Sequence, residues 1–510
     1  MAHFFISAAH KSSGKTSVSV GLAAAMAQRG LAVQPFKKGP DYIDPLWLGR
    51  AAGKACINLD FFTMSHAEIL ATFAARTAAA DVSLIEGNKG LFDGLDVEGT
   101  DCNAALAKLL SAPVVLVMDT NGMTRGIAAL INGYLNFDPD VDVRGVILNK
   151  LGGSRHEGKL RAALERYTDV EVLGAIGRDK ALEIPERHLG LIPANESSHS
   201  NETIARLSDA VAAGVNIDRV LGIANAGNTP ETGSVADYNA PVSDVRIAIA
   251  RDAAFSFYYE DDLDAFARAG AELVPFDTLN DSELPEVDGL FIGGGFPETN
   301  LAALSDNKSL LADIRRSLEA GMPAYAECGG LMYLAQSIRW QGEAFEMVGV
   351  VPGDITVEER PQGRGYVVLE ETGNGMWADA TARIPAHEFH YARLESLAGT
   401  PNYAYKVVRG YGIDGDHDGL IIGDLLAGFT HQRNTATNPW VRRFVAFVRE
   451  HLVIVLAALL AGAPQALSGE ATFCSNPVVV NSCDVTCFPQ DEFSARVSCI
   501  LETSNIKEKR

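Results

Sequence analysis

The sequence predicts an α/β protein with two domains, the first built on a doubly wound parallel sheet. From residue 3 to about 225, short β-rich apolar runs alternate with longer amphipathic stretches, as in repeated strand–helix–strand units. A segment at 226–244, rich in Gly, Pro, Ser and Asn, lacks apolar periodicity and indicates a linker. The strand and helix alternation then resumes. We therefore predict a first domain over 1–225 and a second α/β domain over 245–451.

Composition narrows the functions open to the chain. The 510 residues include 43 Lys and Arg against 65 Asp and Glu, a net charge of −22 that would repel a nucleic acid backbone. We therefore expect no nucleic acid partner. The N-terminus lacks the basic region and apolar run of a secretory signal, and the first 450 residues contain few cysteines. These features predict a cytoplasmic location.

The C-terminal region, 452–510, differs from the rest. Its apolar run at 452–467 is shorter than the roughly 18 residues expected of a membrane helix and contains Pro464. A membrane span is therefore not expected, and a membrane tether is the alternative that this run leaves open. The cysteines beyond it lack the paired spacing of a metal site. They are Cys474, Cys483, Cys487 and Cys499. We assign this region no function.

A phosphate-binding loop is predicted near the N-terminus. Residues 9–16 read A-H-K-S-S-G-K-T, which fits G-x-x-x-x-G-K-[ST] except that Ala9 replaces the first Gly. The segment follows a predicted strand and opens a predicted helix, so backbone N–H groups converge on phosphate oxygens. The alternative is a polar turn. The candidate phosphate-binding residues are Ser12, Ser13, Gly14, Lys15 and Thr16. Asn149 ends a later strand, where some nucleotide-binding folds read the base, although a strand-terminal Asn is often only a turn former.

Acidic residues near this loop are candidates for metal and substrate binding. Thr16 is a predicted Mg²⁺ ligand, and Glu86 ends a neighbouring strand where a second ligand commonly lies. Helix capping is the alternative for Glu86. Further candidates lie on Gly-rich loops or beside them: Lys37, Lys38, Asp41, Asp44 and Asp93. The lysines could meet phosphates or a carboxylate substrate, whereas the aspartates could equally be turn residues.

A nucleophile is predicted in the second domain. Cys328 lies in MPAYAECGGLMYL, where an apolar strand runs into a glycine turn and a helix-like stretch, and such an elbow exposes a thiolate. Gly294 and Gly295 end another strand, and with Gly329 their N–H groups are candidates for stabilising an oxyanion. His431 is the candidate base. The alternative is a buried core thiol.

His387 and His390, in AHEFHYAR, compete with His431 for that role. Their spacing with an intervening Glu is not the H-E-x-x-H spacing of a zinc site, and no third ligand is evident. We interpret them as substrate-facing or as buried hydrogen-bonding residues.

Ordered motifs across about residues 3–450 resemble the cobyrinate a,c-diamide synthase family. They are PFKKGPDYIDP, EGNKGLFDG, PERHLGL, ARDAAFSFYY, GGGFPE, ECGG and HEFHY. The resemblance implies a P-loop domain similar to dethiobiotin synthetase joined to a class I-type glutamine amidotransferase domain. It also implies amidation of the a and c acetate groups of a corrin, with glutamine or ammonia as nitrogen donor and Mg²⁺-ATP.

Carried onto this chain, the resemblance implies roles for the motif residues. Cys328 would be the glutaminase nucleophile and His431 its base, while Lys15, Thr16 and Glu86 would bind the nucleotide and Mg²⁺. Asn149 is a further candidate for nucleotide binding, and Asp41 is a further candidate for Mg²⁺ binding. Predicted contacts with a tetrapyrrole polycarboxylate are Lys38, Asp44, Asp93, His387 and His390. The usual triad has Glu two residues after the His, but this chain has Arg433 there, so the group that orients His431 is left unidentified.

The sequence leaves alternatives open for the substrate, the activity and the oligomeric state. Leu46, Trp47 and Leu48 follow IDP, where corrin-amidating members often carry a Gly-Phe-His-like segment, so sirohydrochlorin or siroheme is an alternative macrocycle. A second alternative is an ATP-binding scaffold with an inactive amidotransferase domain. Lys37, Lys38, Arg187 and Arg364 could form a local basic pocket for an anionic substrate, with a solvated surface role as the alternative. A homodimer is also considered.

Overall fold

The computed structural model describes residues 1–187, 190–197, 199–228, 241–377 and 383–462. Side chains are described for these residues except 187, 190 and 455–462. Most of the predicted linker and the four C-terminal cysteines lie outside the described residues. The side chain of Arg187, a candidate for the basic pocket, lies outside the described side chains.

Within its described residues, the first domain contains a seven-stranded parallel sheet with the order β3-β2-β4-β1-β5-β6-β7. Its strands are β1 (His3–Ala8), β2 (Val33–Lys38), β3 (Ile57–Leu59), β4 (Val82–Glu86), β5 (Val114–Asp119), β6 (Val143–Leu151) and β7 (Glu171–Gly177). A short antiparallel pair follows, β8 (Glu186–Arg187) and β9 (Gly190–Leu191).

Helices cover both faces of this sheet, which explains why strands β1 to β5 are buried along almost their whole length. They are α1 (Lys15–Gln28), α2 (Ile43–Ala52), α3 (His66–Thr77), α4 (Asn103–Leu109), α5 (Gly126–Phe137), α6 (Ser154–Tyr167), α7 (Ser200–Gly214) and α8 (Ile217–Asn225). On β1, Phe4 and Ile6 pack into the core on one face and Phe5 packs into the core on the other. The predicted doubly wound sheet is confirmed.

The second domain is built on a mixed sheet. In the described residues nine strands follow the order β12-β10-β13-β15-β24-β23-β22-β19-β20, parallel from β12 to β24 and antiparallel beyond it. These strands are β10 (Val245–Ala250), β12 (Ala271–Phe276), β13 (Gly289–Ile292), β15 (Ala324–Glu327), β19 (Gly363–Glu371), β20 (Arg383–His390), β22 (Tyr403–Arg409), β23 (His417–Ile422) and β24 (Leu425–Gly428).

Smaller elements complete the second domain. β11 (Phe255–Phe257) pairs with β14 (Gly294–Gly295), and a separate sheet contains β16 (Ala335–Trp340), β17 (Glu343–Glu346), β18 (Val351–Val357) and β21 (Ala392–Glu395). The helices are α9 (Glu260–Arg268), α10 (Leu301–Asp306), α11 (Lys308–Glu319), α12 (Gly329–Leu334) and α13 (Trp440–Gly462). Across the described chain, no helix has the length and apolar character needed to cross a membrane.

The two domains meet at an aromatic cluster. Tyr42, from the loop after β2, packs with Phe257, Tyr259 and Phe296 of the second domain. Its ring stacks on that of Phe257 with centroids 5.3 Å apart and planes 4° apart. This contact brings the loop after β2 against the carboxyl ends of the second domain's parallel strands.

Candidate active site

The phosphate-binding loop lies between β1 and α1, as predicted. The helix begins at Lys15, and Ser12 and Gly14 before it have φ angles of 65° and 82°. Asn149 supports the loop, because its Nδ2 donates to the Ser13 carbonyl at 2.9 Å. A Cβ at Gly14 would lie 2.2 Å from that Nδ2, so a larger residue would displace Asn149. The loop therefore presents its backbone N–H groups at a helix N-terminus, the arrangement that binds phosphate oxygens.

A buried ionic network lies beside this loop. Lys37 is 1% exposed and forms an ion pair with Asp44, and its Nζ is 2.8 Å from Oε1 of Glu86 and 3.7 Å from Oδ2 of Asp41. Burial alone lowers the pKa of Lys37, but these carboxylates raise it well above its usual value. Burial, followed by the charge of Asp44, raises the pKa of Asp41 to about 6. Lys37 is therefore shared among three carboxylates, and Lys15 lies 3.8 Å from Oε1 of Glu86 as a second cation.

The same network has the oxygen donors that Mg²⁺ prefers. The Thr16 hydroxyl donates to Oε1 of Glu86 at 2.8 Å and lies 3.2 Å from Oδ2 of Asp44. Oε2 of Glu86 is buried and has no hydrogen-bond partner among the described residues. Nowhere in the described chain do three or more His, Cys, Asp or Glu side chains form a group that could hold a metal ion. Mg²⁺ in nucleotide sites usually takes only one or two protein carboxylates, with phosphates and water completing its shell, and these residues fit that role.

Lys38 and Asp93 line the cavity beside the network. Lys38 is 3% exposed, and within the described residues no carboxylate lies within ion-pair distance of its Nζ. Burial lowers its pKa. Asp93 accepts a hydrogen bond from the Gly90 N–H at 3.1 Å. Lys38 is therefore a buried cation directed at a space large enough for a ligand.

In the second domain, Cys328 occupies a strained turn. It lies between β15 and α12 with φ 50° and ψ −103°, a conformation that only glycine adopts readily. Its side chain lines the cavity. A Cβ at Gly329 would lie 3.1 Å from the Gly295 backbone nitrogen, so these two predicted oxyanion residues are neighbours. Gly294 allows His431 to approach, because a Cβ there would lie 2.5 Å from the ring Cε1.

His431 lies between Cys328 and an acidic residue that the sequence reasoning missed. Its Nδ1 is 3.4 Å from Oε2 of Glu327, the residue immediately before the nucleophile. Glu327 is held by the Tyr325 hydroxyl at 2.6 Å and the Gln432 N–H at 2.9 Å. Burial alone lowers the pKa of His431, but its interactions with Cys328 and Glu327 raise it to about 10. These interactions therefore favour the protonated form of the His431 ring.

Arg433, which stands where an orienting Glu was expected, faces the domain interface instead. It is 1% exposed, and its guanidinium donates to the Asn58 carbonyl at 2.6 Å and to Asp261 at 2.7 Å. It also lies 4.7 Å from the centre of the Tyr259 ring. Arg433 thus connects the two domains. An acid at the end of the apolar strand AYAE was the sequence signal that could have identified Glu327.

The two other histidines have different surroundings. The ring of His387 stacks on His431, with centroids 4.9 Å apart, and burial lowers its pKa well below the usual value. The Tyr42 ring lies 5.1 Å from His431 and 5.5 Å from His387. The ring of His390 instead stacks on Phe429 at 4.1 Å, and its Nδ1 is 2.9 Å from the Ala392 carbonyl. Of the two, His387 lines the cavity, and His390 is placed as a buried hydrogen-bonding residue.

The predicted nucleotide and glutaminase centres open onto one cavity of about 1410 Å³. Lys15, Thr16 and Asp44 line it on the first domain, and Cys328 and His431 line it on the second. Such a cavity gives a small product released at Cys328 a path to the phosphate-binding loop.

Comparisons with known proteins agree with this arrangement. Residues 5–192 match a family model described as the CobQ/CobB/MinD/ParA nucleotide binding domain, and residues 246–438 match one described as the CobB/CobQ-like glutamine amidotransferase domain. The cobyrinate a,c-diamide synthase of Magnetococcus marinus is 45% identical over 452 residues, which is 88% of this chain and 97% of that protein. The protein of the same name from Archaeoglobus fulgidus is 42% identical over 436 residues, covering 85% and 94%.

Proposed function

The chain belongs to the cobyrinate a,c-diamide synthase family and is a glutamine-dependent amidating ligase, and we propose that it amidates the a and c acetate carboxylates of cobyrinate or hydrogenobyrinate. The observation that carries the proposal is the cavity shared by the phosphate-binding loop and Cys328. A ligase that moves ammonia from glutamine to an activated carboxylate needs both centres within one protected space.

The glutaminase half-reaction uses Cys328 and His431. The thiolate attacks the glutamine carboxamide, His431 donates a proton to the departing ammonia, and water then hydrolyses the glutamyl thioester to glutamate. The N–H groups of Gly295 and Gly329 stabilise the oxyanion. Glu327 acts as a positioning residue, because its carboxylate at 3.4 Å favours the protonated ring of His431.

The ligase half-reaction activates a substrate carboxylate, which is otherwise a poor electrophile. The γ-phosphoryl group of ATP passes to the carboxylate, giving an acyl phosphate and ADP, and ammonia then displaces phosphate to form the amide. The loop from Ser12 to Thr16 binds the phosphates. Thr16, Glu86 and Asp41 would hold Mg²⁺, which when bound neutralises phosphate charge. Lys38, with Asp44, Asp93 and His387, contacts the macrocycle.

A direct assay tests the proposal. Purified protein is incubated with ATP, Mg²⁺ and glutamine, with cobyrinate, hydrogenobyrinate or sirohydrochlorin offered separately, and products are measured by mass. We expect two replacements of carboxyl by amide on a corrin. Amidation of sirohydrochlorin alone would move the protein to that substrate, while glutamate release without any amide would favour a different acceptor. No glutamate release would favour the inactive scaffold.

A further inference from the structure

Two arginines of the amidotransferase domain line the shared cavity outside both reaction centres. Arg364, on β19, lies over the Phe389 ring at 5.6 Å, and Arg409, at the end of the neighbouring strand β22, lies over the Phe62 ring at 5.5 Å. In the part of the chain that the structure describes, neither guanidinium has a carboxylate within 4.0 Å. Each therefore presents an unneutralised cation to the cavity.

These arginines face the first domain. Tyr366, two residues after Arg364 on β19, donates from its hydroxyl to Asp60 at 2.6 Å, and its ring stacks on Phe62 at 4.3 Å. Residues two apart on a strand share a face. The Tyr366 hydroxyl also lies 3.9 Å from the Cβ position of Gly39, which follows Lys38. The arginines of the second domain and Lys38 of the first thus border the same part of the cavity.

The nearby carboxylate of Glu388 does not neutralise this surface. Although Glu388 lines the cavity, its two oxygens accept hydrogen bonds from the N–H groups of Tyr411 and Gly412, both at 2.8 Å. Asp101 and Asp60 lie near Lys38 and partly offset the lowering of its pKa by burial, but neither lies within ion-pair distance of its Nζ. In a chain with a net charge of −22, three cations without ion-pair partners around one concave surface favour an anionic ligand. The aromatic rings beneath the arginines restrict the orientation of each guanidinium, which lowers the entropic cost of carboxylate binding.

We propose that Arg364 and Arg409 bind peripheral carboxylates of the tetrapyrrole, so that the acceptor site is shared between the two domains. Lys38 binds a carboxylate from the opposite side, and the apolar faces of Phe389 and Tyr366 contact the macrocycle. The amidotransferase domain then has two roles, releasing ammonia and holding the acceptor. This inference rests on the proposed function, because it takes a polycarboxylate tetrapyrrole as the substrate.

The test uses ammonia instead of glutamine, so that the glutaminase centre is bypassed. Arg364→Gln, Arg409→Gln and the double variant are assayed in the full-length protein with the macrocycle that the wild type amidates. Each single variant should raise the KM for the macrocycle about tenfold, the factor expected for one charge-assisted hydrogen bond to a partly exposed group. Glutamate release and the KM for ATP should stay unchanged. Arg→Lys at either position should recover part of the affinity.

A matched control is Arg339→Gln, which removes an exposed arginine paired with Asp354 on a different sheet of the same domain. It should leave the KM for the macrocycle unchanged. An unchanged KM in the double variant would overturn the inference while leaving the proposed function intact. A rise in the KM for ATP or glutamine instead of the macrocycle would also overturn it. If the wild type amidates no macrocycle, the proposed function and this inference fail together.

Discussion

The two reaction centres are held in place by different kinds of interaction. Beside the phosphate-binding loop, Lys37 is shared among three carboxylates, so the geometry depends on a network of buried charges. At the amidotransferase centre, a strained turn presents Cys328, close backbone packing admits His431, and one carboxylate faces that histidine. If one carboxylate of the network is lost, the others still hold Lys37. If the single nucleophile is lost, the second centre has no reacting group. Loss of one carboxylate from the network should therefore affect glutamine-dependent amidation less than loss of Cys328.

Cys328→Ala should have the largest effect on the use of glutamine and should leave the use of ammonia intact. Without the thiolate no glutamyl thioester forms, so glutamine-dependent amidation should fall by about 10³-fold or more. Amidation with ammonia should continue at close to the wild-type rate, because the ligase centre keeps all of its residues. Glutamate release and amide formation are measured in parallel with each donor.

The matched control for this prediction is Lys15→Met in the phosphate-binding loop. It should lose amidation with both donors while retaining glutamate release. If ammonia failed to support amidation by the Cys328 variant, the ligase centre would depend on the second centre, and the two could not act independently.

The phosphate-binding region was largely predictable from sequence because its residues are contiguous or follow strand ends. The loop at residues 9–16 could be identified from its spacing, and Glu86 from its position at the end of a strand. The partners of His431 could not be found in this way. Glu327 precedes the nucleophile in a short apolar strand, and only the folded turn places its carboxylate near a residue about a hundred positions later. Likewise, the interface role of Arg433 depends on packing between the domains.

Glu327→Gln removes one negative charge from the second centre. Since Glu327 and Cys328 raise the pKa of His431 to about 10, loss of the carboxylate should lower that pKa. The His431 ring then stays protonated over a narrower pH range. The alkaline limb of kcat/KM for glutamate release should therefore move to lower pH. We expect the maximum rate to fall by roughly 10- to 100-fold. The measurement is a pH profile of glutamate release.

Tyr325→Phe is the control for this variant, because it removes one hydrogen bond to Glu327 but keeps the carboxylate charge. Its alkaline limb should shift less. A Gln variant with a slower rate but an unshifted alkaline limb would indicate a structural role for Glu327.

The smallest expected effect tests the contact between Tyr42, on the loop that carries Asp41, and the histidines of the second centre. Tyr42 lies between Asp41 and the helix that carries Asp44, and its ring packs against His431 and His387. In Tyr42→Ala, water could enter the space left by the ring and protonate ammonia before it reaches the acyl phosphate. Glutamate formed per amide should then rise several-fold with glutamine, while ammonia-dependent amidation changes little. Tyr42→Phe keeps the ring and should keep the wild-type ratio. An unchanged ratio in a folded Tyr42→Ala protein would mean that the ring does not seal the path, and that the separation of the two centres needs no side chain between them.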